Sequence, residues 1–245
     1  MALFTDGSIS SVSELAAHDS GLLGVAGTEG IDVAVKLGLA QDELGVELLA
    51  MVPQTAGLQG VVITAPLRLW HVFHSLELVY RDAYNNQLND RYKGKWQQYR
   101  ELAQWAAGKL LETGLGITAD PVPRAEAPTL SVAGGGSVTV EATLYASIAW
   151  VNAKGEEGAA GPWDVMVVPA WNALVVGPVR PPAPAAGWNV YVGTSVDALS
   201  RQNTAPLAVS EVWTQTGPVT EGGPQPGSGQ PPSYLRAMPR TFQRG

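Results

Sequence analysis

The hydrophobic period of this chain changes at one place. As far as Leu110, apolar residues recur every three or four positions; from Val138 to Trp150 they recur at every second one. Between the two lie Asp120-Pro121-Val122-Pro123 and Pro128. Proline has no amide N–H and its ring clashes with the preceding turn, so no helix runs through this joint. A chain with a 3.6-residue period on one side and a 2-residue period on the other divides into a helical part and a strand part. With 245 residues, each part has the length of an ordinary domain.

In the helical part, Ser11-Val12-Ser13-Glu14 has the spacing of a capping box before a short helix ending near His18. Thr28 is the expected N-cap of a longer segment through Ile31, Val35, Leu37, Leu44, Leu48 and Met51, with Gly38 and Gly45 as points where it divides in two. Pro66 suits a first turn. Leu69, Val72, Phe73, Leu76, Val79, Tyr80 and Ala83 then hold one apolar face. A last helix carries Trp96, Tyr99, Leu102, Ala103, Ala106 and Leu110 and closes at Gly114. Helices of this number and length predict a small bundle over residues 1–120.

Beyond a proline-rich linker at 121–129, residues 130–220 read as strand. Seven alternating apolar positions from Val138 to Trp150 predict a strand with one buried face, and Asn152-Ala153-Lys154-Gly155 turns the chain. Further short strands are expected at Trp163–Val168, Leu174–Val176, Trp188–Val192 and Val209–Thr214, so the region predicts a small antiparallel sandwich. Residues 221–245 contain ten Gly or Pro, which predicts an extended arm without a core of its own. The fold class is therefore α+β: helical bundle, antiparallel β-sandwich, C-terminal arm.

The chain has no cysteine, which excludes disulfides, thiolate nucleophiles and cysteine-ligated metals. Its net charge of −7 argues against general nucleic-acid adhesion. The start of the chain has no basic region and no long apolar run, so synthesis and folding in the cytoplasm are expected, with no membrane. His71, His74 and Glu77 share helical spacing, but a boundary role explains them better than a metal site. Asp42, Glu43 and Glu47 read as an outer helix face, since no nucleophile accompanies them. Gly134-Gly135-Gly136 lacks the Lys and Ser/Thr of a phosphate loop and reads as a turn. No catalytic constellation and no cofactor motif is present, and the chain is read as a non-enzyme.

Two basic features remain. Arg91, Lys93 and Lys95, with Tyr92 and Trp96, form a cluster able to touch DNA phosphates or a neighbouring subunit, or else a solvated helix junction. In the arm, Tyr234, Leu235, Met238 and Phe242 alternate with Arg236, Arg240 and Arg244, the residue types that anchor protein interfaces. The aromatic set Trp163, Trp171, Trp188, Tyr191 and Trp213 offers a stacking platform for a glycan, although a domain this small needs about half of it as core.

The segments His18-Asp19-Ser20-Gly21-Leu22-Leu23, Thr28 to Gly45, Leu67-Arg68-Leu69-Trp70-His71 and Tyr84 to Tyr92 resemble the N-terminal region of tailed-phage head-to-tail connector (adaptor) proteins, over roughly residues 8–118. Trp150 to Gly158 and Gly187 to Ser195 resemble fibronectin-type-III or immunoglobulin-like modules. The resemblance implies a virion protein of the neck, a ring of twelvefold symmetry beneath the portal protein. Such a ring meets tail or tail-terminator proteins and extends a channel through which DNA passes without sequence readout. It also implies portal docking through the C-terminal segment, here Tyr234 to Arg244. The other expectation is a tail- or capsid-associated decoration protein that binds glycans through its sandwich.

Overall fold

The computed structural model describes residues 2–53, 57–87, 90–136, 138–227 and 229–236. The chain is α+β: five helices followed by antiparallel sheets. It forms two compact units, and each terminus belongs with the distant part of the sequence. The helical unit holds Gly7–Ile117 and Pro232–Gly245; the strand unit holds Met1–Asp6 and Thr118–Pro231.

In the helical unit, α1 (Val12–His18) starts with the capping box the sequence announces. Ser11 Oγ accepts the Glu14 N–H and the Glu14 carboxylate accepts the Ser11 N–H. Next come α2 (Leu22–Glu29) and α3 (Val33–Leu49). The cap of α3 is Asp32, whose carboxylate accepts the N–H groups of Ala34 and Val35. Thr28, the expected cap, instead lies inside α2 and returns its hydroxyl to the Gly24 carbonyl. Gly38 and Gly45 do not divide α3, because the buried stripe Val33, Leu37, Ala40, Leu44 and Leu48 holds it as one helix.

The longest helices are α4 (Ala65–Gln87) and α5 (Lys93–Thr113). Tyr80 of α4 stacks on Tyr99 of α5 with centroids 5.5 Å apart, and Tyr84 stacks on Trp96 at 5.4 Å. One apolar cluster joins Leu15, Leu22, Leu37, Val72, Leu76, Val79 and Tyr99, so all five helices share a core. No helix among the described residues is long and apolar enough to cross a membrane.

In the helical unit, β1 (Leu115–Ile117) follows α5 directly. The strand unit then contains β2 (Thr129–Gly134), β3 (Ala142–Val151), β4 (Asp164–Val168), β5 (Asn172–Gly177), β6 (Gly187–Gly193), β7 (Ser200–Arg201), β8 (Leu207–Ala208) and β9 (Trp213–Thr214). One sheet runs β4-β3-β6, with β7 and β8 on the two ends of the free edge of β6; the other runs β2-β5-β9. Leu144, Ile148, Trp150, Trp188 and Val190 from the first sheet and Leu174 and Val176 from the second belong to one apolar cluster.

Two features differ from the sequence expectation. The stretch 121–129 is a working part of the strand unit: Val122 and Ala125 are in its core, and β2 begins at Thr129. Gly158 and Gly161 make that possible, since a Cβ at either would strike the backbone carbonyls of Val122 or Glu126. Residues 221–227 and 229–231 form no helix or strand but are seated. The Arg201 N–H donates to the Pro224 carbonyl at 2.9 Å, and the Gly227 N–H to Glu157 at 3.0 Å. Gln230, 1% exposed, accepts the Val122 N–H at 2.7 Å and donates to the Asp120 carbonyl at 2.9 Å. Glycine and proline here fit the chain against a surface already covered with donors and acceptors.

Candidate interaction site

The C-terminal segment contributes the last strand, β10 (Ser233–Leu235), which pairs antiparallel with β1 in the register Leu115↔Leu235, Gly116↔Tyr234 and Ile117↔Ser233. The other edge of β1 is also used. The Val62 N–H donates to the Gly116 carbonyl at 2.9 Å, and Val61 bridges to Ile117. Sequence makes room for β10 at Gly114-Leu115-Gly116. A Cβ on Gly114, which has φ +100°, would lie 2.9 Å from the Leu235 carbonyl oxygen; one on Gly116 would lie 3.0 Å from Pro232 Cβ and 2.8 Å from Thr64 Cγ2. The helix stop read from Gly114 is correct, but its second purpose escaped that reading. Two glycines flanking one apolar residue were the available signal.

The ladder fixes the base of the arm. Leu235 and Arg236, with Met51, Leu110, Leu111 and Leu115, line an apolar cavity of about 180 Å³. Tyr234 is 53% exposed, and Arg236 is exposed. Of the seven arm residues singled out from sequence, Tyr234, Leu235 and Arg236 are therefore placed on the chain's own helical unit. Met238, Arg240, Phe242 and Arg244 lie outside the described residues.

The cation cluster resolves into internal contacts. Lys95 Nζ donates to Asp19 Oδ2 at 2.8 Å, and the same oxygen accepts the hydroxyls of Tyr80 (2.7 Å) and Tyr99 (2.8 Å). Asp19 Oδ1 accepts the Gly21 N–H at 3.0 Å. Burial alone would raise the Asp19 carboxyl; these four donors more than offset it and hold it below the usual carboxylate range. Burial and the Asp19 charge push both tyrosine hydroxyls up, so they remain protonated donors. Lys93 pairs with Asp90 at 3.4 Å, and the Arg91 guanidinium lies 5.1 Å from the Tyr92 ring centroid. The three cations thus stand at the junction of α4 and α5, and Lys95 is the cation of a buried polar hub.

The two histidines point to different partners. His71, fully buried, bonds Ser10 Oγ through Nδ1 at 2.6 Å and the Leu37 carbonyl through Nε2 at 3.1 Å; burial, its largest influence, holds it below the ordinary value. His74 sits between Glu77 (3.0 Å) and Glu43 (2.6 Å). Burial lowers it, but the two carboxylates prevail and raise it. Glu43 is thus engaged, whereas Asp42 and Glu47 make no ion pair among the described residues.

Of the five sandwich aromatics, Trp188 and Tyr191 are buried and Trp213 packs against the core. Trp163 (48% exposed) precedes β4 and lies edge-on to Tyr145, whereas Trp171 (68%) follows β4, so they stand at opposite ends of a five-residue strand. That separation rules out a single platform made from both. No protein-family model matches the chain, and no curated protein matches it significantly.

Proposed function

We propose that the chain is a structural virion protein, a head-to-tail connector that assembles as a ring of about twelve copies beneath the portal protein and links it to tail or tail-terminator proteins. The ring extends the DNA channel at the neck and is assembled in the host cytoplasm. The observation that carries this reading is the anchored arm. An acidic helical unit, with eight Lys/Arg against twelve Asp/Glu between residues 7 and 117, holds a β-strand that ends at Leu235, directly before the sequence that carries Arg236, Arg240 and Arg244. A pinned base lowers the ordering cost of docking such a segment on a partner. Internal neutralisation of Lys93 and Lys95 also supports a wall that passes DNA without gripping its phosphates. In this reading the two sheets form a fibronectin-III or immunoglobulin-like sandwich that decorates the ring.

Negative-stain imaging and mass photometry of the purified full chain test the ring. A closed ring is expected, and a monomer at every concentration overturns it. Removing residues 237–245 leaves β10 intact and is expected to abolish capture by the portal protein of the same virus.

A second reading, glycan-binding decoration, is favoured by Trp171 alone, a broad exposed ring held in a left-handed backbone conformation with φ 64°. A glycan array with the full chain and with Trp171→Ala decides it: a specific sugar lost in the variant is required.

A further inference from the structure

The outer face of α3 is apolar where a solvent-facing helix should be polar. Its buried stripe is Val33, Leu37, Ala40, Leu44 and Leu48; on the opposite side Val35 (60% exposed), Leu39 (37%), Val46 (70%) and Leu49 (55%) repeat at three- to four-residue spacing. A helix with apolar stripes on both sides covers two surfaces, and among the described residues only one is covered. Exposed Asp42 interrupts the outer stripe, and Glu43 and Glu47 flank it beside Trp70 and His74 in an open groove between α3 and α4.

We infer that the occupant is this chain's own C-terminal segment, residues 237–245, lying along α3 with Met238 and Phe242 on the apolar stripe and Arg240 and Arg244 towards Asp42, Glu43 and Glu47. Three facts point there. First, β10 delivers Arg236 to the cavity lined by Met51, just past the C-terminal end of α3. Second, the reach suffices: from Leu49 back to Val35 the helix rises about 21 Å, whereas nine extended residues span about 30 Å. Third, the segment from Arg236 on carries three arginines and no acid, and Asp42 and Glu47 have no ion-pair partner among the described residues. A tether this short places the segment at high effective concentration over its own helix, ahead of any second copy. The arm thus has a resting seat from which a partner must displace it.

The absence of native cysteine gives a clean test. In the full chain, Val46→Cys with Phe242→Cys is compared with Leu23→Cys with Phe242→Cys under mild oxidation at low protein concentration; Leu23 is also exposed, but on α2. The seated arm closes the first pair at least about tenfold faster than the second, as a monomeric product. Arg240→Glu slows that closure, and salt weakens it. Equal rates for the two pairs, or disulfide-linked dimers as the only product, overturn the inference. Ring formation and portal capture are separate readouts, so failure of the connector reading and failure of the seat are distinguishable.

Discussion

At the scale of single residues, Asp19 organises the helical unit. It lies between α1 and α2 and receives a lysine and two tyrosines from α4 and α5. Asp19→Ala leaves the Tyr80 and Tyr99 hydroxyls without their acceptor, an expected loss of about 2–4 kcal/mol in urea unfolding. Because the folded carboxyl is held below its ordinary value of 3.8, its contribution is complete above that value and is lost as pH falls through the folded pKa. Wild-type stability should therefore fall more steeply than that of Asp19→Asn below about pH 4. One turn apart, His74 and His71 oppose each other. His74, raised, contributes stability that is full below 6.5 and fades as pH rises through its folded value. His71, lowered and buried neutral, costs stability as pH falls below 6.5, because only the unfolded chain then takes up the proton. Urea midpoints from pH 8 to 5 test this: wild type gains on first acidification, and His74→Gln loses that gain while keeping the later decline.

At the scale of elements, the long ones were legible and the three-residue ones were not. The capping box of α1, the apolar faces of α4 and α5 and the alternation in β3 all declare themselves because each repeats a period several times. The burial of β3 was only half legible. The strand starts only at Ala142, so Val138 and Val140 precede it and Val140 is exposed; from Leu144 on the even positions are inside as expected, but Ser147, Ala149 and Val151 are buried as well, with Ala149 packed against Tyr191 and Leu199, residues distant in sequence. β1 and β10 repeat nothing; their pairing rests on the space left by Gly114 and Gly116, a tertiary fact. Gly116→Ala should therefore detach β10 and leave α5 intact. Faster tryptic cleavage after Arg236 with unchanged helical circular dichroism is the expected result. The tip between β4 and β5 behaves in the opposite sense. Trp171 takes a left-handed conformation and its carbonyl accepts the N–H groups of Gly135 and Gly136, so Trp171→Gly keeps the turn, relieves the strain and raises stability by about 1 kcal/mol in thermal unfolding.

At the scale of the whole chain, the change of hydrophobic period at the proline joint separates helix from strand correctly but does not mark where either unit ends. Val122 and Ala125, before the first strand of the sandwich, are buried at 0% and 3%. Gln230, near the far end, bonds back to Val122 and Asp120. The first residues of the chain join the same unit, and the Asp6 carboxylate accepts the Arg124 N–H at 2.7 Å. A fragment cut at the limits suggested by strand periodicity, 130–220, discards the buried Val122 and Ala125 side chains and strips β7 of the Pro224 carbonyl that accepts the Arg201 N–H. Burying one aliphatic side chain is worth about 1.5–3 kcal/mol, and each lost hydrogen bond about 1 kcal/mol. Against the 5–15 kcal/mol that stabilises a typical domain, these losses are large. The fragment 118–231 keeps Val122, Ala125, Pro224 and Gln230, giving up only the contacts of residues 1–6, and is expected to unfold cooperatively, whereas 130–220 is expected to melt at least about 10 °C lower or to bind an apolar dye while cold. Comparing the two fragments by differential scanning calorimetry checks this. Equal melting temperatures would show that the joint and the Gly/Pro-rich stretch lie on the strand unit without supporting it.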